Sequence, residues 1–88
     1  MSYTEEIINQ LWEHNEDAQL ADGLDDALIG VSLGNFHHDK AVAVYDIDEI
    51  ISILVERDGM TEDGAFDYFE YNIQGSYMGK DTPLFIYT

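Results

Sequence analysis

The sequence predicts an α+β fold: a three-stranded, mainly antiparallel sheet with helices packed on one face, in the order α-β-β-α-α-β within a single domain spanning residues 1–88. Three observations lead there. Three stretches place apolar residues at helical spacing behind capping residues, three shorter runs are rich in β-branched and aromatic residues, and glycine or proline stands at most of the joints. Helices and strands mixed in this way bury their apolar faces as a sheet with a helical layer against it.

The first helix is expected over 4–14. Ser2-Tyr3-Thr4-Glu5 has the spacing of a capping box, with the serine hydroxyl accepting from the third amide and the Glu5 carboxylate reaching back. Ile7, Ile8, Leu11 and Trp12 then make one apolar stripe, while Glu5 and Glu6 sit in the first turn, where the helix dipole favours negative charge. The helix should end near Asn15, ahead of the polar stretch Glu16-Asp17-Ala18-Gln19.

Strands are expected over 27–33 and 41–45, joined as a hairpin through the polar segment Gly34-Asn35-Phe36-His37-His38-Asp39-Lys40. Alternation puts Ile29, Val31 and Leu33 on one face of the first strand and Val42 and Val44 on one face of the second. Gly30 marks a bulge or a close backbone approach.

Asp46-Ile47-Asp48-Glu49 is a second capping box, and the helix behind it, 47–58, carries the clearest periodicity in the chain. Its stripe is Ile47, Ile50, Ile51, Leu54 and Val55, and Gly59 is the expected left-handed residue that stops it. Thr61 caps a third helix over 62–74, with Phe66, Phe69 and Ile73 inward and Gly75 at its end. Gly64 in its first turn lowers helix propensity by up to about 1 kcal/mol against alanine. Pro83 heads the last strand, 84–87, which suits an edge or a strand start. The core should hold Trp12, Ile29, Val31, Val44, Ile47, Ile51, Leu54, Phe66, Phe69 and Ile73.

Composition limits function more than any motif does. Nineteen carboxylates face three basic side chains, for a formal charge of −16 on 88 residues. With 45% hydrophobic and 12% aromatic residues, the chain does not read as a disordered acidic tail. Nucleic-acid backbones and anionic membranes carry the wrong charge to be direct ligands. No secretory signal or membrane-spanning run is visible, and cysteine is absent, which fits a cytoplasmic protein.

Several segments from Leu24 onward read as a set. They are Asp26-Ala27-Leu28-Ile29-Gly30-Val31, Val42-Ala43-Val44-Tyr45-Asp46, Arg57-Asp58-Gly59-Met60, Tyr68-Phe69-Glu70-Tyr71-Asn72, Gly75-Ser76-Tyr77-Met78-Gly79 and Thr82-Pro83. Together they resemble a family of small, acidic, uncharacterised proteins of bacteriophages and prophages, most specifically from Arg57 to Pro83. The resemblance implies a phage-type context and a host-cell cytoplasm; it carries no activity onto particular residues. Most of these positions read better as packing and turns than as a site. A pocket lined by Tyr68, Tyr71 and Tyr77 is the functional alternative.

Phosphate-binding and dinucleotide-binding signatures are missing. There is no P-loop and no G-x-G-x-x-G, and three cationic side chains suit phosphate chemistry poorly. His37-His38-Asp39 is the one histidine cluster, but neighbouring residues of an extended segment point to opposite sides, so a solvated loop is the better reading. Asp22-Gly23-Leu24-Asp25-Asp26 and Asp46-Ile47-Asp48-Glu49 lack the calcium-loop pattern. The expectation is a protein without enzymatic activity, cofactor or dedicated metal.

The charge itself is the remaining signal. Asp63, Asp67 and Glu70 fall at i, i+4 and i+7 of the third helix, and Glu13, Glu16, Asp17, Asp22, Asp25 and Asp26 concentrate around the first loop. Solubility of a small domain needs a net charge of only about 2–8 in magnitude. Rows of carboxylates on a rigid support can imitate duplex phosphates, spaced at about 1.7 Å per charge along the axis. The favoured expectation is therefore an inhibitor or modulator of a host nucleic-acid-binding or defence protein, a DNA mimic docking on a basic protein surface. Its contact residues would be Asp63, Asp67 and Glu70 first, then Asp22, Asp25 and Asp26. The alternative is an interaction or assembly module that binds through Tyr68, Tyr71 and Tyr77, its acidity serving solubility or a high-salt cytoplasm. Homo-oligomers are compatible with either.

Overall fold

Ile47–Asp58, the stretch with the clearest periodicity, forms the helix on which the rest is assembled. The computed structural model describes residues 3–33, 40–76 and 81–88. Their elements are α1 (Tyr3–His14), β1 (Leu28–Ser32), β2 (Val42–Asp46), α2 (Ile47–Asp58), α3 (Glu62–Tyr68) and β3 (Leu84–Ile86). The Asp46 carboxylate caps α2 by accepting from the Asp48 amide at 3.0 Å. At the other end Gly59 adopts φ +70°, a conformation glycine enters without strain, and its amide donates to the Leu54 carbonyl. Ile47, Ile50, Ile51 and Leu54 are buried, and Ile51 shares one core with Phe69.

The sheet has the order β1-β2-β3 and is mixed. β1 and β2 are antiparallel, as the hairpin reading requires, but β3 runs parallel to β2, which corrects the expected mainly antiparallel sheet. The reason lies in the connection. Two helices separate β2 from β3 and return the chain to the starting end of the sheet, and such a crossover delivers a parallel strand. The pairing slips between Leu28 and Gly30, placing the expected bulge at Ile29. A Cβ at Gly30 would meet nothing within 4 Å among the described residues, so the bulge rather than a close approach accounts for this site.

Register also decides which side is core. Leu28 pairs with Tyr45, Val31 with Ala43 and Tyr45 with Phe85, so these residues share the helix-facing side. Val42 and Val44 lie on the reverse side with Ser32, Gly30, Leu84 and Ile86. Tyr45 is fully buried, its ring 5.9 Å from Phe85, which meets Phe69 edge-on at 5.2 Å. Its hydroxyl accepts a buried hydrogen bond from the Ala21 amide at 2.9 Å. Ala41 to Tyr45 is apolar at both parities, so alternation could not rank Tyr45 above Val44. Ile29, Val31, Val44 and Phe66, expected in the core, are half-buried instead.

Trp12 is a larger departure: it is 47% exposed. Helix α1 buries Ile7 and Leu11 with Ile8 partly covered, and Trp12 falls at the margin of that stripe. Asn15 ends the helix and is 5% exposed. Its amide donates to the Ala41 carbonyl (2.8 Å) and to Asp81 Oδ1 (2.9 Å), while its Oδ1 accepts from the Asp17 amide (3.1 Å).

The polar stretch that follows is anchored rather than loose. Ala18, Ala21, Leu24 and Ala27 are all buried at a spacing of three, which turns Glu16, Asp17, Asp22, Asp25 and Asp26 outward. Three-residue turns make this spacing: the amides of Ala18, Leu24 and Ala27 donate to the carbonyls of Asn15, Ala21 and Leu24.

The third helix changes its winding. Thr61 Oγ1 accepts from the Gly64 amide at 3.1 Å to cap α3, and a Cβ on Gly64 would stand 3.0 Å from that hydroxyl. A residue that looks like a poor helix former thus leaves room for the cap. Expected as α-helix to residue 74, the chain instead passes into a π-helical segment, Phe69–Ile73, and a 3-10 turn, Gln74–Ser76. Phe69 and Ile73 remain buried across this change.

Candidate interaction surface

The one arginine of the sequence, Arg57, organises the densest acidic region. It lies in the last turn of α2, where a cation complements the helix dipole. Its Nη1 donates to the Gly23 carbonyl at 2.6 Å, and its Nε and Nη2 grip both oxygens of Asp58 at 3.1 Å each. Gly23 has φ +79°, and the guanidinium stands 3.5 Å from where a Cβ would be. The positive φ is what favours glycine there, since 3.5 Å is an ordinary contact distance. Through this contact the loop bearing Asp22, Asp25 and Asp26 is tied to α2.

Two clefts open on either side of the guanidinium. The larger, of about 530 Å³, is lined by Gly23, Asp25, Asp26, Ile53, Glu56 and Arg57. A smaller one of about 200 Å³ lies among Asp22, Leu54, Arg57, Asp58, Tyr68 and Asn72. The hydrogen bond from Arg57 holds the Asp58 carboxyl below its ordinary range. Reciprocally, that hydrogen bond raises Arg57 further above its already high value, with a smaller contribution from Tyr68. The arginine is committed to its own chain, so both clefts present carboxylates to a visitor.

The expected contact residues are divided by the fold. Asp22, Asp25 and Asp26 are exposed and come together around Arg57, and Tyr68 of the aromatic set joins them across the smaller cleft. Asp63, Asp67 and Glu70 are exposed as well, but they do not form one continuous α-helical row. Asp63 and Asp67 stand a turn apart on α3, whereas Glu70 lies inside the π-helical segment, where the spacing that defined the row has ended. Tyr71 is 78% exposed beside them. Tyr77, His37, His38 and Asp39 lie outside the described residues.

Apart from half-buried Asp46 and Asp81, every described aspartate and glutamate is exposed. Lys40 is 3.5 Å from Asp17, so both described basic side chains already face a carboxylate of the same chain. No group of three or more histidines and carboxylates among the described residues is arranged to hold a metal. No described helix is long and apolar enough to cross a membrane.

Sequence reasoning missed Arg57 as the organiser, although its signal was present: the one arginine of a strongly acidic chain, two residues before a helix-ending glycine. No protein-family model matches this chain, and comparison with curated proteins and with solved structures gave no match either.

Proposed function

We propose that this protein is an anionic interaction module that binds a basic groove of a nucleic-acid-binding protein and inhibits or modulates it, as a mimic of DNA. In the phage-type context implied by the sequence resemblance, that partner is a host nucleic-acid-binding or defence protein in the cytoplasm. The protein acts by occupancy, without catalysis and without an obligatory cofactor. One observation carries the reading: exposed carboxylates cover a rigid domain whose described cations are turned onto its own acids. A groove shaped for duplex phosphates meets a comparable field here, and opposite potentials speed encounter and select the partner.

The Asp22, Asp25 and Asp26 set is the better supported contact, because packing and Arg57 hold it in place. Asp63 and Asp67 on α3, with Glu70 in the π-helical segment beyond them, supply a second. Capture of partners from host lysate at low and at high salt tests the reading. Screening lengths shrink from about 10 Å at 0.1 M to about 3 Å at 1 M salt, so a mimic should release its partner. Asp22→Asn, Asp25→Asn and Asp26→Asn together should weaken capture. A partner that survives high salt and ignores both this triple variant and Asp63→Asn, Asp67→Asn, Glu70→Gln refutes mimicry. Exposed Tyr71 and Tyr68 favour the second reading in that event, a module binding through aromatic surface with acidity serving solubility.

A further inference from the structure

Between α2 and α3 runs a groove of about 300 Å³ unlike the clefts at Arg57. Its floor is apolar, made by Ile51 and Val55 one turn apart on α2 and by Phe66 of α3. Its rim is acidic, with Asp48 and Glu56 on the α2 side, Ser52 between them, and Glu62 in the first turn of α3. Ile51 is buried, but Val55 and Phe66 stay half-open. The cause is local. α3 buries the small Ala65 completely, while Phe66 packs against the core only in part and lines the groove with the remainder.

We infer that this groove is the docking site for a basic amphipathic helix of the partner. The inference rests on the reading above that the partner is a basic protein, and adds how part of it is held. Asp48, Ser52 and Glu56 recur at i, i+4 and i+8, a run of roughly 12 Å at about 1.5 Å per residue. An incoming helix presents side chains at the same one-turn interval, so lysines or arginines on its flanks meet the rim while its aliphatic stripe meets Ile51, Val55 and Phe66. A purely electrostatic mimic has no use for a partly open apolar floor. Charge complementarity also decides against other occupants: a second copy of this chain brings another −16, and an anionic lipid surface is repelled by the same rim.

The test is fluorescence anisotropy of the full chain with a labelled helical peptide of about four turns. Leucines at i, i+3, i+4 and i+7 form one face of this peptide and lysines the rest. A scrambled peptide of identical composition is the comparison. The amphipathic peptide should bind at least about tenfold more tightly at physiological salt. Val55→Asp should erase that preference, and Ser52→Arg, an exposed change that leaves the core intact, should lower affinity by a similar factor. Asp63→Asn with Asp67→Asn should leave the preference unchanged. Equal binding of the two peptides overturns the groove while leaving a basic partner in place. If neither peptide binds at low salt, the basic-partner reading falls, and the inference with it.

Discussion

Two acidic regions of this molecule have similar composition and opposite mechanics. Asp22, Asp25 and Asp26 sit on a segment without regular helix or strand, yet every third residue beneath them is buried and Arg57 clamps the backbone at Gly23. Asp63, Asp67 and Glu70 sit on helical structure, and like charges one turn apart weaken their own support by a few tenths of a kcal/mol. The helix dipole offsets this for Glu62 and Asp63 in the first turn and fades beyond it. The irregular region is thus the better preorganised of the two. Holding a field in place depends on what lies under the carboxylates, not on how regularly they are spaced.

The sharpest way to break this comparison is to remove the anchor. Leu24→Ala should cost about 2–5 kcal/mol in urea denaturation, as large-to-small changes at buried positions do. A loss under about 1 kcal/mol would mean that the acidic loop is not held by packing. Gly23→Ala comes next: forcing a Cβ into the left-handed region costs roughly 1–2 kcal/mol. Hydrogen exchange should then rise across residues 21–27 and stay level in α3.

Arg57→Gln sharpens the contrast through titration. Asp58 is held low by its hydrogen bond from Arg57, so the folded carboxylate is favoured at pH values above the unfolded pKa. That contribution is lost as pH falls through the depressed folded value. In the variant the Asp58 titration followed by NMR should move up toward the ordinary 3.8. An unchanged titration would show that the pair is not maintained in solution. On the other region, Asp67→Asn should stabilise the protein by about 0.2–0.5 kcal/mol by relieving repulsion from Asp63. The smallest effect is expected from chelator, which should leave the melting temperature unchanged at constant ionic strength; a drop would reveal a resident metal.

Much of this architecture was legible in the residues. The ends of α2 follow from Asp46 and Gly59, and the bulge beside Gly30 follows from a glycine that interrupts a short apolar run. What stayed hidden did so for physical reasons. The period of three through Ala18, Ala21, Leu24 and Ala27 is carried mostly by alanine, whose apolar signal is faint among carboxylates. Both parities of Ala41 to Tyr45 are apolar, so only register could pick Tyr45 for the core. Trp12 shares the helical spacing of Ile7, Ile8 and Leu11, but it lies at the margin of that stripe and stays 47% exposed. The π-helical winding from Phe69 has no pattern of its own. The acidic candidates were visible as composition, but the grouping of Asp22, Asp25 and Asp26 with Tyr68 around Arg57 is a tertiary fact.

The side-chain amide of Asn15 links the end of α1 to the threshold of β2, 26 residues away, and to Asp81 just before β3, 66 residues away. Contacts so distant along the chain form only after large loops have closed, so this amide acts late in folding as a latch on structure already assembled. Asn15→Ala should accordingly leave the refolding rate nearly unchanged and speed unfolding, placing its whole effect on one arm of the chevron. A slower refolding arm would instead make Asn15 part of the nucleus. As a latch, the amide sets how long the acidic surface persists once made, rather than how fast it is made.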